Sequence, residues 1–242
     1  MMDRFFPEVA AGGFSRRDGT VEFYSRVNSL LSADKVLLDF GAGRGVGHLD
    51  DMTEYRRSLR NFQGKVRFIY GVDVDPAVLQ NPSLDEAYLL DEAGLIPMKA
   101  DSVDVILSDW VFEHLPNPAV TISEFRRVLR AGGWICARTP NRWHYQYLAS
   151  RIIPDRHHTR VLAMVQEDRK EVDIFPKHYL LNDMNAKSRF FKRHEFDDFS
   201  YYYSPEPAYL PRNAALWRLA LGLEAVMPPW LRPNLFFFLR KR

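Results

Sequence analysis

The run "VLLDFGAGRGVG", Val36 to Gly47, sets four glycines in seven positions directly behind an apolar stretch. Glycine weakens the interior of a helix or strand by roughly 0.5–1 kcal/mol relative to alanine. The cluster therefore marks a turn that needs positive φ, or a backbone that something must approach closely. The apolar run before it, Val36–Phe40, suits a short strand buried on both faces, hence one in a parallel sheet. A glycine-rich turn behind the first parallel strand lets backbone amides come up to a nucleotide-like ligand.

The pattern on either side extends this reading. Residues 1–33 read as a loop and a helix, with Val21, Tyr24, Val27, Leu30 and Leu31 at helical spacing. A helix is expected over roughly 52–62, ending at Gly64, and a second strand over Val66–Val72. Asp75 is a plausible N-cap, with Pro76 at the first helical position. Ala87–Leu90 is a short third strand and Asp104–Ser108 the fourth. A helix then starts near Pro118, presents Val120, Phe125, Val128 and Leu129, and ends at Gly132–Gly133. Trp134–Pro140 is the fifth strand. This alternation predicts an α/β, doubly wound, Rossmann-like, mainly parallel seven-stranded sheet with an antiparallel last strand.

Three regions follow: 1–33, a core over 34–140, and a substrate or lid segment with C-terminal strands over 141–242. In the last region 141–153 reads as helix, 154–181 as an irregular connection or lid, and 183–193 as helix. "EFDDFSYYY" and "NLFFFLRK" read as two strands forming a hairpin at the sheet edge around the helix "AALWRLALGLEAVM". Within that helix Leu216, Leu219, Leu223 and Val226 are read mostly as core.

Composition narrows the function classes. With 46% apolar and 26% charged residues the chain reads as a soluble globular protein. A formal net charge of only +2 argues against a nucleic-acid partner, which favours a basic face or stripe. The lone cysteine, Cys136, lies in an apolar run and offers neither an internal disulfide nor a thiol metal framework. A reducing, cytoplasmic setting is the expectation. The first residues lack a signal-peptide pattern, and no window approaches the ~18 apolar residues of a membrane span.

The glycine spacing separates two ligand classes. The dinucleotide fingerprint Gly-x-Gly-x-x-Gly is met at Gly41 and Gly43, but its third position is Val46. The observed pattern is Asp39-x-Gly41-x-Gly43-x-Gly45. It resembles the first motif of the class I S-adenosylmethionine-dependent methyltransferases. "GVDVDP", Gly71–Pro76, looks like the second motif, whose acidic residue, here Asp73, accepts hydrogen bonds from the ribose hydroxyls. A carboxylate suits a vicinal diol because charge strengthens both bonds. The Gly45-to-Asp73 interval exceeds the ~20 residues of dinucleotide folds, an excess assigned to the helix at 52–62.

"LLDEAGLIPM" and "SVDVILSDWVFEHLPNP" resemble the third and fourth motifs, and "RVLRAGGWICARTPN" the following helix, double glycine and fifth strand. The resemblance spans about residues 34–142 and is closest to a small-molecule group with uncharacterised bacterial members. It implies S-adenosylmethionine as cofactor, S-adenosylhomocysteine as product, and contacts from Asp39, Gly41, Ala42, Gly43, Gly45, Asp73, Val74, Asp91, Glu92, Ala93 and Ser108, with Asp91 facing adenine. Asp39 has a second reading, accepting hydrogen bonds from the turn's amides. Arg44 is either a solvated loop residue or a partner for the cofactor's carboxylate.

Glu113 and His114 are the catalytic candidates, with His144 behind them. Some ubiquinone-biosynthesis O-methyltransferases, which this region resembles, carry a Glu-x-x-Glu-His metal cluster here. Trp110 replaces its first Glu, and Asp109, one residue off, is read as facing another way on a helix, so no metal is expected. The alternative is that Glu113 and His114 shape the loop after strand four. Trp143, His144 and Tyr145, and more weakly His178 and Tyr179, are candidates for the acceptor pocket. His157 and His158 make an unlikely metal pair. The reading is an O-methyltransferase for a small-molecule, saccharide or lipid-linked acceptor, with peripheral membrane contact through the C-terminal apolar helix. A non-catalytic S-adenosylmethionine-fold binding protein and an NAD-dependent dehydrogenase are the alternatives.

Overall fold

The computed structural model describes residues 1–45, 47, 50–91, 93–145, 176–207, 210, 211 and 213–242. Eight strands form one sheet: β1 (Val36–Phe40), β2 (Phe68–Asp73), β3 (Glu86–Leu89), β4 (Val103–Asp109), β5 (Leu129–Pro140), β6 (Phe196–Asp198), β7 (Tyr201–Tyr203) and β8 (Asn234–Lys241). Their order is β3-β2-β1-β4-β5-β8-β6, with β7 also on β8. The first five are mutually parallel, and β8 runs antiparallel to β5.

The antiparallel β8 lies between β5 and the edge and pairs with β6 and β7, so the two C-terminal strand segments form the expected hairpin at the sheet edge around the helix. One expectation about the sheet is corrected. The edge itself is one strand cut in two, which gives eight segments instead of seven. β6 and β7 pair with β8 in the same continuing register. The ladder is interrupted because the Ser200 Oγ, not a main-chain carbonyl, receives the Phe238 N–H at 3.3 Å. The helix between β7 and β8 is present, as the sequence reading expects.

Helices cover both faces: α1 (Met2–Phe5), α2 (Gly19–Ser29), α3 (Glu54–Arg60), α4 (Pro118–Val128), α5 (Met184–Phe190) and α6 (Ala214–Val226). Successive strand residues feed opposite cores, as the period of two demands. Leu37, Phe236 and Phe238 pack with Phe23 and Val27 of α2. Leu38 and Phe237 pack with Phe112 and with Phe125 of α4. Asp18 caps α2 by accepting the N–H groups of Thr20 and Val21, and Asp183 caps α5 through Ala186. Asp75 caps a 3₁₀ turn, Pro76–Gln80, rather than an α-helix.

α4 ends earlier than expected. Its C-cap, Leu129, is already extended, so Gly132–Gly133 lie within β5. There a bend past β4 requires Gly132 at φ 77°, and a Cβ on Gly133 would sit 2.8 Å from the Asp104 carbonyl oxygen. The α6 reading is also corrected. Trp217, Ala220 and Glu224 are its buried residues, while Leu216, Leu219, Leu223 and Val226 are exposed. Trp217 stacks on Phe5, and Arg17 ion-pairs with Glu224. Those contacts fix which face turns inward. Most of the region read as 141–153 helix and 154–181 lid, including His157 and His158, lies outside the described residues.

Candidate active site

The strand order reverses between β1 and β4, and the crevice at the carboxyl ends of such strands is where open α/β sheets take ligands. The glycine turn fills that position. Gly41, Gly43 and Gly45 all have positive φ, at 81°, 50° and 82°, a region that costs L-residues roughly 1–2 kcal/mol. Their roles differ. A Cβ on Gly41 would collide with the Val111 side chain behind the turn, and one on Gly45 would sit 2.7 Å from Asn81 Oδ1. At Gly43 a Cβ would meet only Asp73 Oδ2, at 3.9 Å. Gly43 is thus the point where the turn is open to an incoming group.

Asp73, at the end of β2, holds the turn from the other side. Its Oδ2 accepts the Gly43 N–H at 2.8 Å and its Oδ1 the Asp75 N–H at 2.9 Å. Burial raises its carboxyl above the usual range, against the pull of those two amides. Asn81 was not foreseen, and it is the turn's main clamp. Its Nδ2 donates to the carbonyls of Ala42 and Gly43, both at 3.0 Å. "QNPS" signals only a turn; the long-range clasp has no local signature.

Asp39 does not accept the turn's amide: the Gly43 N–H goes to Asp73 instead. Burial, with Asp109 and Asp73 nearby, pushes the Asp39 carboxyl up to about 7. Arg44 pairs with Asp50. Val74 is exposed beside Asp73. Asp91 and Ala93 are exposed just beyond β3, and the Asp91 carbonyl accepts the Gly94 N–H at 3.0 Å. Glu92 lies outside the described residues. Ser108, in β4, is fully buried, and its Oγ has no hydrogen-bond partner among the described residues.

After β4 the chain makes an unusual turn. Asp109 is the last residue of β4, not part of a helix, and faces Arg138 in the β4–β5 register. The two form a bidentate pair, and the Tyr24 hydroxyl donates to Asp109 Oδ2 at 2.9 Å. Burial alone would raise the Asp109 carboxyl, but the Arg138 guanidinium outweighs it and holds it below the usual range. Arg138 also lies over the rings of Phe23, Tyr24 and Trp110. Trp110 itself has φ 59°, strained for a bulky side chain, and such strain concentrates at functional sites. A sequence signal existed here: opposite charges closing two neighbouring apolar strands.

Glu113 and His114 follow in the 3₁₀ turn Phe112–His114. Glu113 is buried, and its Oε2 accepts the Thr139 hydroxyl at 2.9 Å. Thr139 Oγ1 in turn accepts Asn182 Nδ2 at 2.6 Å. Burial pushes the Glu113 carboxyl up to about 7. His114 Nδ1 lies 2.7 Å from the Pro176 carbonyl oxygen, which can only accept. The proton therefore sits on Nδ1, and Nε2, 3.9 Å from Glu113 Oε1, is the basic nitrogen of the neutral ring.

His144 is separate from this pair. Its main chain is anchored to Asn141, whose Nδ2 donates to the carbonyls of Trp230 and Arg232. Burial lowers its imidazole to about 4, and Nε2 has no partner among the described residues. Trp143 and Tyr145 beside it are exposed. His178 is exposed, and the His178 and Tyr179 N–H groups both donate to the Glu113 carbonyl.

A methyltransferase-domain family model matches residues 38–137. A probable S-adenosylmethionine-dependent methyltransferase of Mycolicibacterium smegmatis is 28% identical over 145 residues, 58% of this chain and 51% of that protein. The chain spans about half the length of that curated relative. Among solved structures, a putative methyltransferase in complex with the Haloferax volcanii Trm112 activator aligns with a TM-score of 0.55 at 16% identity, covering 91% of this chain and 89% of that one. The geranyl diphosphate C-methyltransferase of Streptomyces coelicolor A3(2) aligns with a TM-score of 0.52 at 13% identity, covering 92% and 79%. The matched residues contain the glycine turn, Asp73, Asp91 and Glu113, and over them the chain is similar to S-adenosylmethionine-dependent methyltransferases.

Proposed function

We propose that this chain transfers the methyl group of S-adenosylmethionine to a hydroxyl of a small-molecule, saccharide or lipid-linked acceptor. The observation that carries the reading is the pairing of Gly43, open on its Cβ side, with the doubly anchored Asp73. The residues present fit the cofactor. A carboxylate has about four lone-pair sites, so Asp73 keeps acceptor capacity for two vicinal hydroxyls. Val74 follows Asp73 directly, Asp91 lies two residues past Leu89, the register partner of Asp73 in β3, and Ser108 Oγ is an orphaned donor; the first two are the candidates for the base.

Bound there, S-adenosylmethionine supplies a sulfonium-activated methyl electrophile. The chain's own task is to position the acceptor and take up its proton. His114 Nε2 is the base this arrangement supports, because its other nitrogen is committed to Pro176. Glu113 is its charge partner, and the Asn182–Thr139 chain holds the carboxylate in place. His144 is the weaker candidate, since an imidazole held at about 4 is a poor base near neutrality. The fold neighbour whose printed substrate is geranyl diphosphate is in keeping with a phosphate-bearing, lipid-like acceptor. A cytoplasmic bacterial setting belongs to the same reading and accords with the buried free thiol of Cys136.

Titration calorimetry tests the donor site. Micromolar binding of S-adenosylmethionine or S-adenosylhomocysteine is expected, weakened about hundredfold by Asp73→Ala, as loss of two charge-assisted hydrogen bonds requires. Binding of NADH in place of either ligand overturns the reading. Methyl transfer that appears only with an acceptor library present separates an enzyme from a binding module.

A further inference from the structure

α6 is amphipathic in the inverted sense. Its solvent-facing arc carries Leu216, Leu219, Leu223 and Val226, with Leu219 58% and Val226 80% exposed, and Trp230 extends the patch beyond the helix end. Among the described residues the only charge on that arc is Arg218, while the helix's acid, Glu224, is turned inward. Apolar stripes of this kind are seldom left to water.

The other shoulder of the same helix borders a pocket of about 300 Å³, lined by Leu221, Glu224 and Ala225 of α6 together with Arg17, Ser204 and Arg232, two guanidinium groups against one carboxylate. Arg17 spends one nitrogen on Glu224 and another on the Ser204 carbonyl. Arg232 makes one long bond, 3.5 Å, to the Tyr202 carbonyl, so most of its donor fork is uncommitted among the described residues. The buried Ser204 Oγ has no partner among them either. The pocket therefore offers an arginine fork and a hydroxyl, the donors that a phosphate oxygen takes. It also lies on the catalytic side of the sheet: Asn234, two residues past Arg232, pairs with Pro140 at the carboxyl end of β5.

We propose that the exposed arc of α6 lies on an anionic bilayer surface and that the Arg17–Arg232 pocket takes a lipid phosphate there. Charge complementarity selects this occupant: an apolar arc with a basic and no acidic side chain, a pocket on its flank whose one carboxylate, Glu224, is paired with Arg17 and which leaves Arg232 as its excess cation, and a tryptophan at its end, where membrane interfaces favour one. The consequence for catalysis, delivery of a lipid-linked acceptor to the cleft, rests on the function proposed above. The docking itself does not.

Cosedimentation of the full chain with vesicles of phosphatidylcholine, with and without phosphatidylglycerol, tests it. The protein is expected to pellet with the anionic vesicles. Leu219→Glu/Leu223→Glu is expected to weaken this by about tenfold or more, since two leucines no longer leave water. Arg232→Gln is expected to weaken it about fivefold and to act only on the anionic vesicles. Protein that stays in the supernatant, or a double variant that pellets as well as the parent, overturns the proposal. So does a parent dimer that ignores vesicles and that the double variant splits, which would assign the face to a second copy. Cofactor calorimetry on the same samples shows that the variants are folded. If vesicle binding holds while no cofactor binds, the methyl-transfer reading fails alone.

Discussion

The glycine turn and α6 are both rich in small or apolar residues, yet spacing determines the structure of the first and not the orientation of the second. At the turn the constraint is steric and local. Three glycines take positive φ within five residues, and no other residue type does this cheaply. On α6 the spacing fixes a helix but not its rotation, because apolar residues occupy more than one face. Trp217 and the Arg17–Glu224 pair decide the matter, and their partners lie roughly two hundred residues earlier in the chain. Backbone requirements are legible in a sequence; the choice between two apolar faces is not.

The sharpest challenge to that distinction is the Asp109–Arg138 pair, which is long-range yet anchored at strand ends. Arg138 is buried and Asp109 partly so. Arg138→Leu leaves the Asp109 carboxylate without its cation, and loss of one partner of a buried pair costs about 3–5 kcal/mol. Urea denaturation should show a drop of that size, the largest expected here. The double variant Asp109→Leu/Arg138→Leu should recover a large part of it. A single variant as stable as the parent would make the pair incidental to the fold.

Within the turn the comparison can be made finer. Gly41→Ala must adopt positive φ and also displace Val111, for about 2–4 kcal/mol in total. Gly43→Ala meets only the φ penalty, about 1–2 kcal/mol, since nothing but Asp73 Oδ2 lies near its Cβ. The binding effects should be inverted in proportion. Gly43→Ala should lose more cofactor affinity per unit of stability lost, because its methyl points into the open side of the turn. Equal ratios in paired denaturation and calorimetry would remove the distinction between the two glycines.

The same logic explains which parts of the site were legible. Asp73 was visible because it closes an apolar strand before a capped turn, and the five parallel strands because apolar runs alternate with helical spacing. Asn81, Thr139 and Asn182 were not. Each acts by reaching across the fold, and a lone Asn or Thr in a loop or at a strand end carries no pattern. Asp109 was misplaced onto a helix because β4 runs one residue past its apolar stretch. The split of the edge strand is not legible because "DFSYY" alternates well enough to read as continuous strand.

Glu113 supplies a pH test of smaller size. Its carboxyl is held at about 7 when folded and returns to the ordinary range, ~4.3, when unfolded. Between those values the native state binds more protons, so stability falls as pH rises from about 5 to about 7 and is level outside that window. Glu113→Gln keeps the Thr139 contact and should abolish this slope, roughly 1 kcal/mol per pH unit. If the ionised carboxylate supports His114, methyl transfer by the parent should rise through the same window, and the variant should lose that rise. Parallel stability curves for the two proteins would mean that Glu113 titrates normally.

The smallest expected effect bears directly on α6. A buried leucine cut to alanine costs about 2–5 kcal/mol, whereas surface changes stay within about 0.5 kcal/mol. Leu219 is exposed and Trp217, two residues before it, is buried. Leu219→Ala should therefore shift the urea midpoint hardly at all, while Trp217→Ala, which empties the contact with Phe5, should lower it by several times as much. A large loss at Leu219 would restore the helix face read from spacing alone, and with it the ordinary amphipathic arrangement. A negligible loss leaves four large apolar side chains in contact with water and contributing little to the fold, which makes a surface that covers them the simpler reason for their presence.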